Sequence, residues 1–176
     1  MKLYKTIKFF VFIALGVSIF FLKETYVEHL RFFIGSLITL YGVDALILGF
    51  LSKKEKELFL FKAIVELILG ICTLALFEEM STICIIWAVW AILREADEIA
   101  EYYELFKERI PCLLGFAESV VAIVFSITLI MEPGEHHAMI HMYLLIVELL
   151  SAVIFPQLRC VYVKYIAKNK KHEKES

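Results

Sequence analysis

The chain predicts an all-α polytopic membrane protein, a six-transmembrane-helix bundle built of three repeated antiparallel helical hairpins. Three observations carry that reading. The 176 residues are 61% hydrophobic and 22% charged, with a mean hydropathy of +0.78. A soluble domain sits nearer half apolar and keeps a wet face on each helix. The charges are squeezed into short segments between apolar runs of roughly 16 to 22 residues, the length of helix that crosses a bilayer core of about 30 Å. Lastly, acidic residues recur inside those runs at a period of about fifty residues, and self-similarity at such a period marks a repeat architecture.

Taken in order, the runs fall at about 6–22, 30–51, 58–77, 82–100, 110–131 and 138–160. In the first, the apolar stretch Phe9–Leu22 follows Lys2, Lys5 and Lys8 and ends in Phe-Phe-Leu-Lys-Glu. That is no small-residue cleavage site, so the run is expected to stay as a helix. The second carries Gly35, Gly42 and Gly49 at every seventh residue, a single stripe that permits close packing. Asp44 falls on the opposite face at 3.6 residues per turn, so this helix is expected to be contacted on two sides. The third and fifth runs hold Glu66 and Glu118, each with a small residue one turn on, Gly70 and Ala122. The fourth contains Trp87 and Trp90 in mid-span, where they read as packing groups, and ends in the charged stretch 94–103. There Glu95 shares a face with Ala88 and Ala91, while Arg94 is expected to pair with Asp97 or Glu98 in a solvated helix end. The sixth run holds Glu148 near its middle, followed by Ala152.

Short outer turns at about 23–29, 78–81 and 132–137 make consecutive helices antiparallel neighbours. The hairpins are therefore about 6–51, 58–100 and 110–160. Together they form one membrane domain, 1–167, followed by a polar cytoplasmic tail, 168–176. Of the 18 lysines and arginines, all but Lys23 and Arg31 fall on the side that holds both chain ends. Positive charge marks the cytoplasmic side, so both termini are expected in the cytoplasm and the protein in the plasma (inner) membrane. With a net charge of −2 the chain offers nothing to nucleic acid. The lipid bilayer is the expected partner, with a second copy of the chain possible through the Gly35/Gly42/Gly49 face.

The candidate chemistry lies in the acids. Asp44, Glu66, Glu95, Glu118 and Glu148 occupy a band in the inner half of the membrane, where a carboxylate is costly and so marks a candidate functional site. One reading makes them interhelical contacts, helped by the small residues beside them. The other makes them a proton or cation path, against which stand outer halves rich in Leu, Ile, Phe and Val. His29, His136, His137 and His141 lie on the expected outer side among glutamates, a face able to sense pH between 7 and 4. His137 and His141 stand at i,i+4 but lack a third ligand in signature spacing, so no metal is expected. Cys72, Cys84, Cys112 and Cys160 form no paired motif either. There is no nucleophile beside a base and no phosphate loop, so neither an enzyme nor a cofactor is expected.

The segment 31–46, RFFIGSLITLYGVDAL, and the layout of three hairpins resemble the HdeD-like acid-resistance membrane proteins, also described as the short-repeat domain of unknown function 308. The likeness rests on the apolar pattern around Gly35 and Gly42. It implies a non-enzymatic inner-membrane protein linked to acid or envelope stress, with no catalytic residues to carry over. The chain has more intramembrane acids than that family suggests. A small proton-coupled transporter or channel using the carboxylate band is the alternative.

Overall fold

The computed structural model describes residues 2–52 and 56–175, which form six helices and, among those residues, no strand. They are α1 (Lys2–Glu28), α2 (Leu30–Leu51), α3 (Lys56–Leu76), α4 (Met80–Lys107), α5 (Leu113–Met131) and α6 (Glu135–Glu175). Lys53 and Lys54, placed by the charge pattern in an inner turn, lie outside the described residues.

Four helical stretches are long and apolar enough to cross a membrane: Thr6–Glu28 of α1, then α2, α3 and α5. The chain is thus a multi-pass membrane protein by length and composition. The other two helices are more polar. α4 carries Arg94, Glu95 and Asp97 within its apolar stretch, and α6 opens on Glu135, His136 and His137. Both also outrun the expected spans. At 28 residues α4 is about 42 Å long, and at 41 residues α6 is about 60 Å, because no proline or glycine interrupts either early enough to stop it. Pro156 leaves α6 unbroken, and the expected polar tail continues the same helix to Glu175.

The closest helix pairs are not the expected hairpins. α2 runs along α3, α4 along α5, and α1 along α6, whereas α1 approaches α2 only sparsely and α3 meets α4 through side chains. Side-chain size explains the pairing. α2 turns its glycine stripe to α3, and a Cβ at Gly42 would stand 2.9 Å from the Leu67 backbone nitrogen. At Gly35 it would stand 3.1 Å from the Gly70 carbonyl. Thr39 fills the notch opposite Gly70 and donates its hydroxyl to the Gly35 carbonyl at 2.7 Å. On α5 the buried positions are Gly115, Ser119, Ala122, Ser126 and Leu129, and the first four are small enough to admit α4 closely. α1 and α2 instead meet through large rings, Phe12 against Tyr41 and Tyr26 stacked on Phe33 at 4.5 Å, and so stand further apart. Helix separation follows the side chains at the contact.

The glycine face offered to a second copy is therefore covered by α3 of the same chain.

The buried apolar cluster draws mainly on α1, α2, α4 and α6, with Leu129 from α5. It includes Phe12, Ile19, Ile34, Ile38, Trp87, Met142, Leu145 and Leu149. α1, α3 and α5 each turn a broad apolar surface outward, Phe10, Val17, Phe20 and Phe21 on α1, Phe61, Ile64, Ile68 and Ile71 on α3, and Val121, Val124 and Ile127 on α5. Such apolar surface belongs against lipid, while the buried Arg94 and Glu95 of α4 and Glu148 of α6 face inward.

Filling the α2–α3 notch is the direct test of this packing. Gly42→Leu should lower stability in detergent by about 1–3 kcal/mol through overpacking. Gly16→Ala, whose added methyl meets nothing within 4 Å, should leave the thermal midpoint unchanged or slightly raised.

Candidate functional site around Arg94

Residues 87, 91, 94, 95, 98 and 102 recur at helical spacing and form the inward face of α4. Halfway along it stands Arg94, only 6% exposed. Its Nη2 donates to Glu95 Oε1 at 2.5 Å and to Glu148 Oε2 on α6, and Nη1 donates to the Tyr41 hydroxyl on α2 at 3.2 Å. The guanidinium also lies over the rings of Tyr41 and Trp90, 5.2 Å from each centroid. Trp90 in turn donates its indole N–H to Glu66 Oε1 on α3 at 3.3 Å. Four helices thus meet on one arginine and the tryptophan a turn before it.

Of the five acids expected to form a band, Glu95 and Glu148 converge on Arg94, and Glu66 reaches it through Trp90. Glu118 joins at one remove. Ser151, three residues after Glu148, holds its hydroxyl 2.6 Å from Glu118 Oε1 and 3.0 Å from the Glu148 carbonyl. Its single proton can serve only one of them at a time. Asp44 stands apart. It pairs with Lys8 Nζ at 2.7 Å and accepts from the Tyr4 hydroxyl, tying α2 to the first turns of α1. Burial and the Asp44 carboxylate push the Tyr4 phenol well above its ordinary range, so Tyr4 keeps its proton and donates.

The inward aim expected of Glu95 is found, at 1% exposure beside the buried Ala88 and Ala91. The pairing expected of Arg94 is not. Asp97 lies 2.8 Å from Lys62 of α3, and Glu98 accepts from Tyr102 on its own helix. The stretch 94–103 is therefore no uniformly solvated helix end. Trp87 is packing, as expected, but Trp90 is also a hydrogen-bond donor.

The outer histidines divide. His29 and His136 are exposed, and His137 lies 3.7 Å from Glu132. His141 is corrected: it is 3% exposed, inside the bundle rather than on its face. Ser126 donates its own proton to the Ala122 carbonyl at 2.8 Å, so His141 Nε2, 3.2 Å from Ser126 Oγ, is the donor of that contact. Its Nδ1 is left as a bare buried acceptor. Edge-on contact with Trp87 completes the pocket. Chelation by His137 with His141 is thereby lost, and the described residues hold no cluster of three or more metal-ligating side chains. Cys72, Cys84 and Cys112 are free thiols, and the side chain of Cys160 lies outside the described residues.

Among the described residues two further polar atoms are buried without a partner, Glu66 Oε2 and Ser119 Oγ. Sequence reasoning passed over Tyr41 and Ser151, and gave Arg94 local partners at a solvated helix end. The legible signal for Arg94 was its place directly beside Glu95, one period from both Asp44 and Glu148. Tyr41 and Ser151 gave none.

Comparison with protein-family models, with curated proteins and with solved structures finds no match.

Breaking a buried ion cluster by removing one partner costs about 3–5 kcal/mol, while replacing all its members by apolar groups is often neutral. Arg94→Met should therefore destabilise the chain by that amount. The triple change Arg94→Met, Glu95→Leu, Glu148→Leu should recover most of the loss. Denaturant unfolding in detergent, followed by tryptophan emission, measures both.

Proposed function

We propose that this chain is a non-enzymatic, six-span plasma-membrane protein of three hairpin repeats, with both termini cytoplasmic, whose intramembrane acids lock helices together. The observation that supports it most is where each acid finds its partner. Asp44 of α2 is held from α1, Glu66 of α3 from α4, Glu148 of α6 from α4, and Glu118 of α5 from α6. Every helix is tied by at least one such contact. Glu95 alone bonds within its own helix, where it shares the charge of Arg94. A hydrogen bond between helices in a membrane contributes about 0.6 kcal/mol on average and up to about 1.7, so the set acts as a distributed lock. A rigid bundle with titratable outer groups suits a role in acid or envelope stress, as the resemblance to HdeD-like proteins implies.

Glutamine keeps the shape and one hydrogen-bonding oxygen of a glutamate. Glu66→Gln and Glu118→Gln should therefore leave protein levels and survival at low external pH as in the wild type, read in a deletion host complemented with each variant. Lost survival at normal levels would count against a purely structural role.

A second reading, proton-coupled transport, draws on two observations. One guanidinium faces two carboxylates, a residual charge of −1 if both are ionised, and Glu66 Oε2 has no partner. A proton or small cation would balance such a site. In proteoliposomes carrying a pH gradient, the structural reading expects no proton or alkali-cation flux above empty vesicles. Flux that disappears in Glu148→Gln would establish the transporter instead.

A further inference from the structure

The last turn of α4 ends in a tight reversal. Ile110 N–H bonds to the Leu105 carbonyl and Arg109 N–H to the Phe106 carbonyl, both at 3.0 Å. That is the Schellman arrangement, whose left-handed position usually takes glycine, and here Arg109 takes it with φ 56°. Pro111 follows, and α5 begins at Leu113 and packs along α4. Between the two helix ends lies a crevice of about 1280 Å³. Ile99, Tyr103, Phe106, Leu113 and Phe116 give it an apolar and aromatic wall, and the buried ring of Tyr102 lies against Gly115. It is larger than the roughly 300–1,000 Å³ of sites that hold drug-sized ligands.

Phe106 and Leu113 are 74% and 78% exposed, and Leu113 opens a helix able to cross the membrane. The wall is therefore continuous with the surface that faces acyl chains. The charge in the wall has one sign. Among the described residues the charged groups that line the crevice are Lys107 and Arg109, while Glu104 and Glu108 stand outside the lining. Lys107 shares its charge with Glu104 at 2.8 Å and lies 4.3 Å from the centroid of the Tyr103 ring. Arg109 is exposed and makes no ion pair among the described residues, so its charge is free for a ligand.

We propose that this crevice binds one anionic glycerophospholipid, with a phosphate and no ammonium in its headgroup, as in phosphatidylglycerol. The Arg109 guanidinium takes the phosphate through its fork of N–H donors, Lys107 adds a second positive charge, and an acyl chain lies along Phe106, Leu113 and Phe116. Basic pockets at the ends of membrane helices hold anionic headgroups on the same ground. A zwitterionic phospholipid would bring its own cation beside Arg109 and Lys107, with no acid in the wall to receive it. A free fatty acid supplies an anion, but its single chain leaves much of the volume unfilled. The inference needs only that the chain crosses a bilayer, and it stands or falls apart from the role of the Arg94 cluster.

The test is non-denaturing mass spectrometry of the full chain in mild detergent, titrated separately with phosphatidylglycerol, phosphatidylethanolamine, phosphatidylcholine and oleate. One phosphatidylglycerol should be retained at concentrations about five-fold lower than any of the others, the worth of one basic contact to an anionic lipid. Arg109→Gly removes the charge at a backbone position that glycine prefers. The thermal midpoint should therefore hold or rise while phosphatidylglycerol binding weakens about five-fold. Arg109→Lys keeps the charge and should keep the preference. Glu104→Gln releases Lys107 from its partner and should tighten the binding about two-fold. Equal retention of all four, tighter retention of oleate, or unchanged phosphatidylglycerol binding in a folded Arg109→Gly protein overturns the proposal.

Discussion

A guanidinium buried in a membrane bundle can stay charged only if the surroundings bring counter-charge and acceptors to it, and most of this architecture follows from that demand. Arg94 cannot reach water from its place on α4. Glu95 stands beside it on α4, and Glu148 and Tyr41 must come to it from α6 and α2. Trp90 serves the same centre from below, offering a ring face to the cation and an N–H to Glu66. Because the desolvation of such a cluster is large, its geometry has to be well satisfied to be tolerated. That requirement places α4 and α6 in the middle of the bundle. α1, α3 and α5, which bring less buried charge, turn most of their apolar surface outward.

Close and wide helix contacts divide along the same line. Where two helices only have to pack, small residues bring their backbones together, as Gly35, Gly42 and Gly70 do between α2 and α3. Where helices have to exchange charge or carry rings, they stand apart and the side chains span the gap. Phe12, Tyr41, Trp90 and Arg94 are of that kind. The bundle is therefore three tight pairs joined by a looser polar and aromatic interior.

Much of this was legible in the chain itself. The helices, the apolar runs and the inward aim of Glu95 all follow from spacing and length. So does the close packing at the glycine stripe, although its partner is α3 of the same chain. What spacing could not give is which helix stands opposite which. A period of 3.6 says that two residues share a face but not what covers that face. For that reason Arg94 looked like a surface residue with local partners, and His141 like a member of an exposed cluster. Both are drawn inside by α2, α4 and α6 meeting, a tertiary fact. Ser151 and Ser126 carry no sequence signal at all, since an isolated serine in a helix is equally at home bonding its own backbone.

The pairing of α1 with α6 has a consequence for how the protein is made. α2 with α3, and α4 with α5, are neighbours along the chain, so each pair can assemble as soon as its second helix leaves the ribosome. α1 has no such partner at hand. Its mate α6 is synthesised only after the four helices between them. Until then the Phe12 and Ile19 side of α1 faces lipid or whatever insertion machinery holds it, and Arg94 has only the adjacent Glu95 to balance it from the acidic side. The docking of α6 closes both deficits in one event. α6 is thus the clasp of the bundle, joining α1 along its length and reaching Arg94 through Glu148.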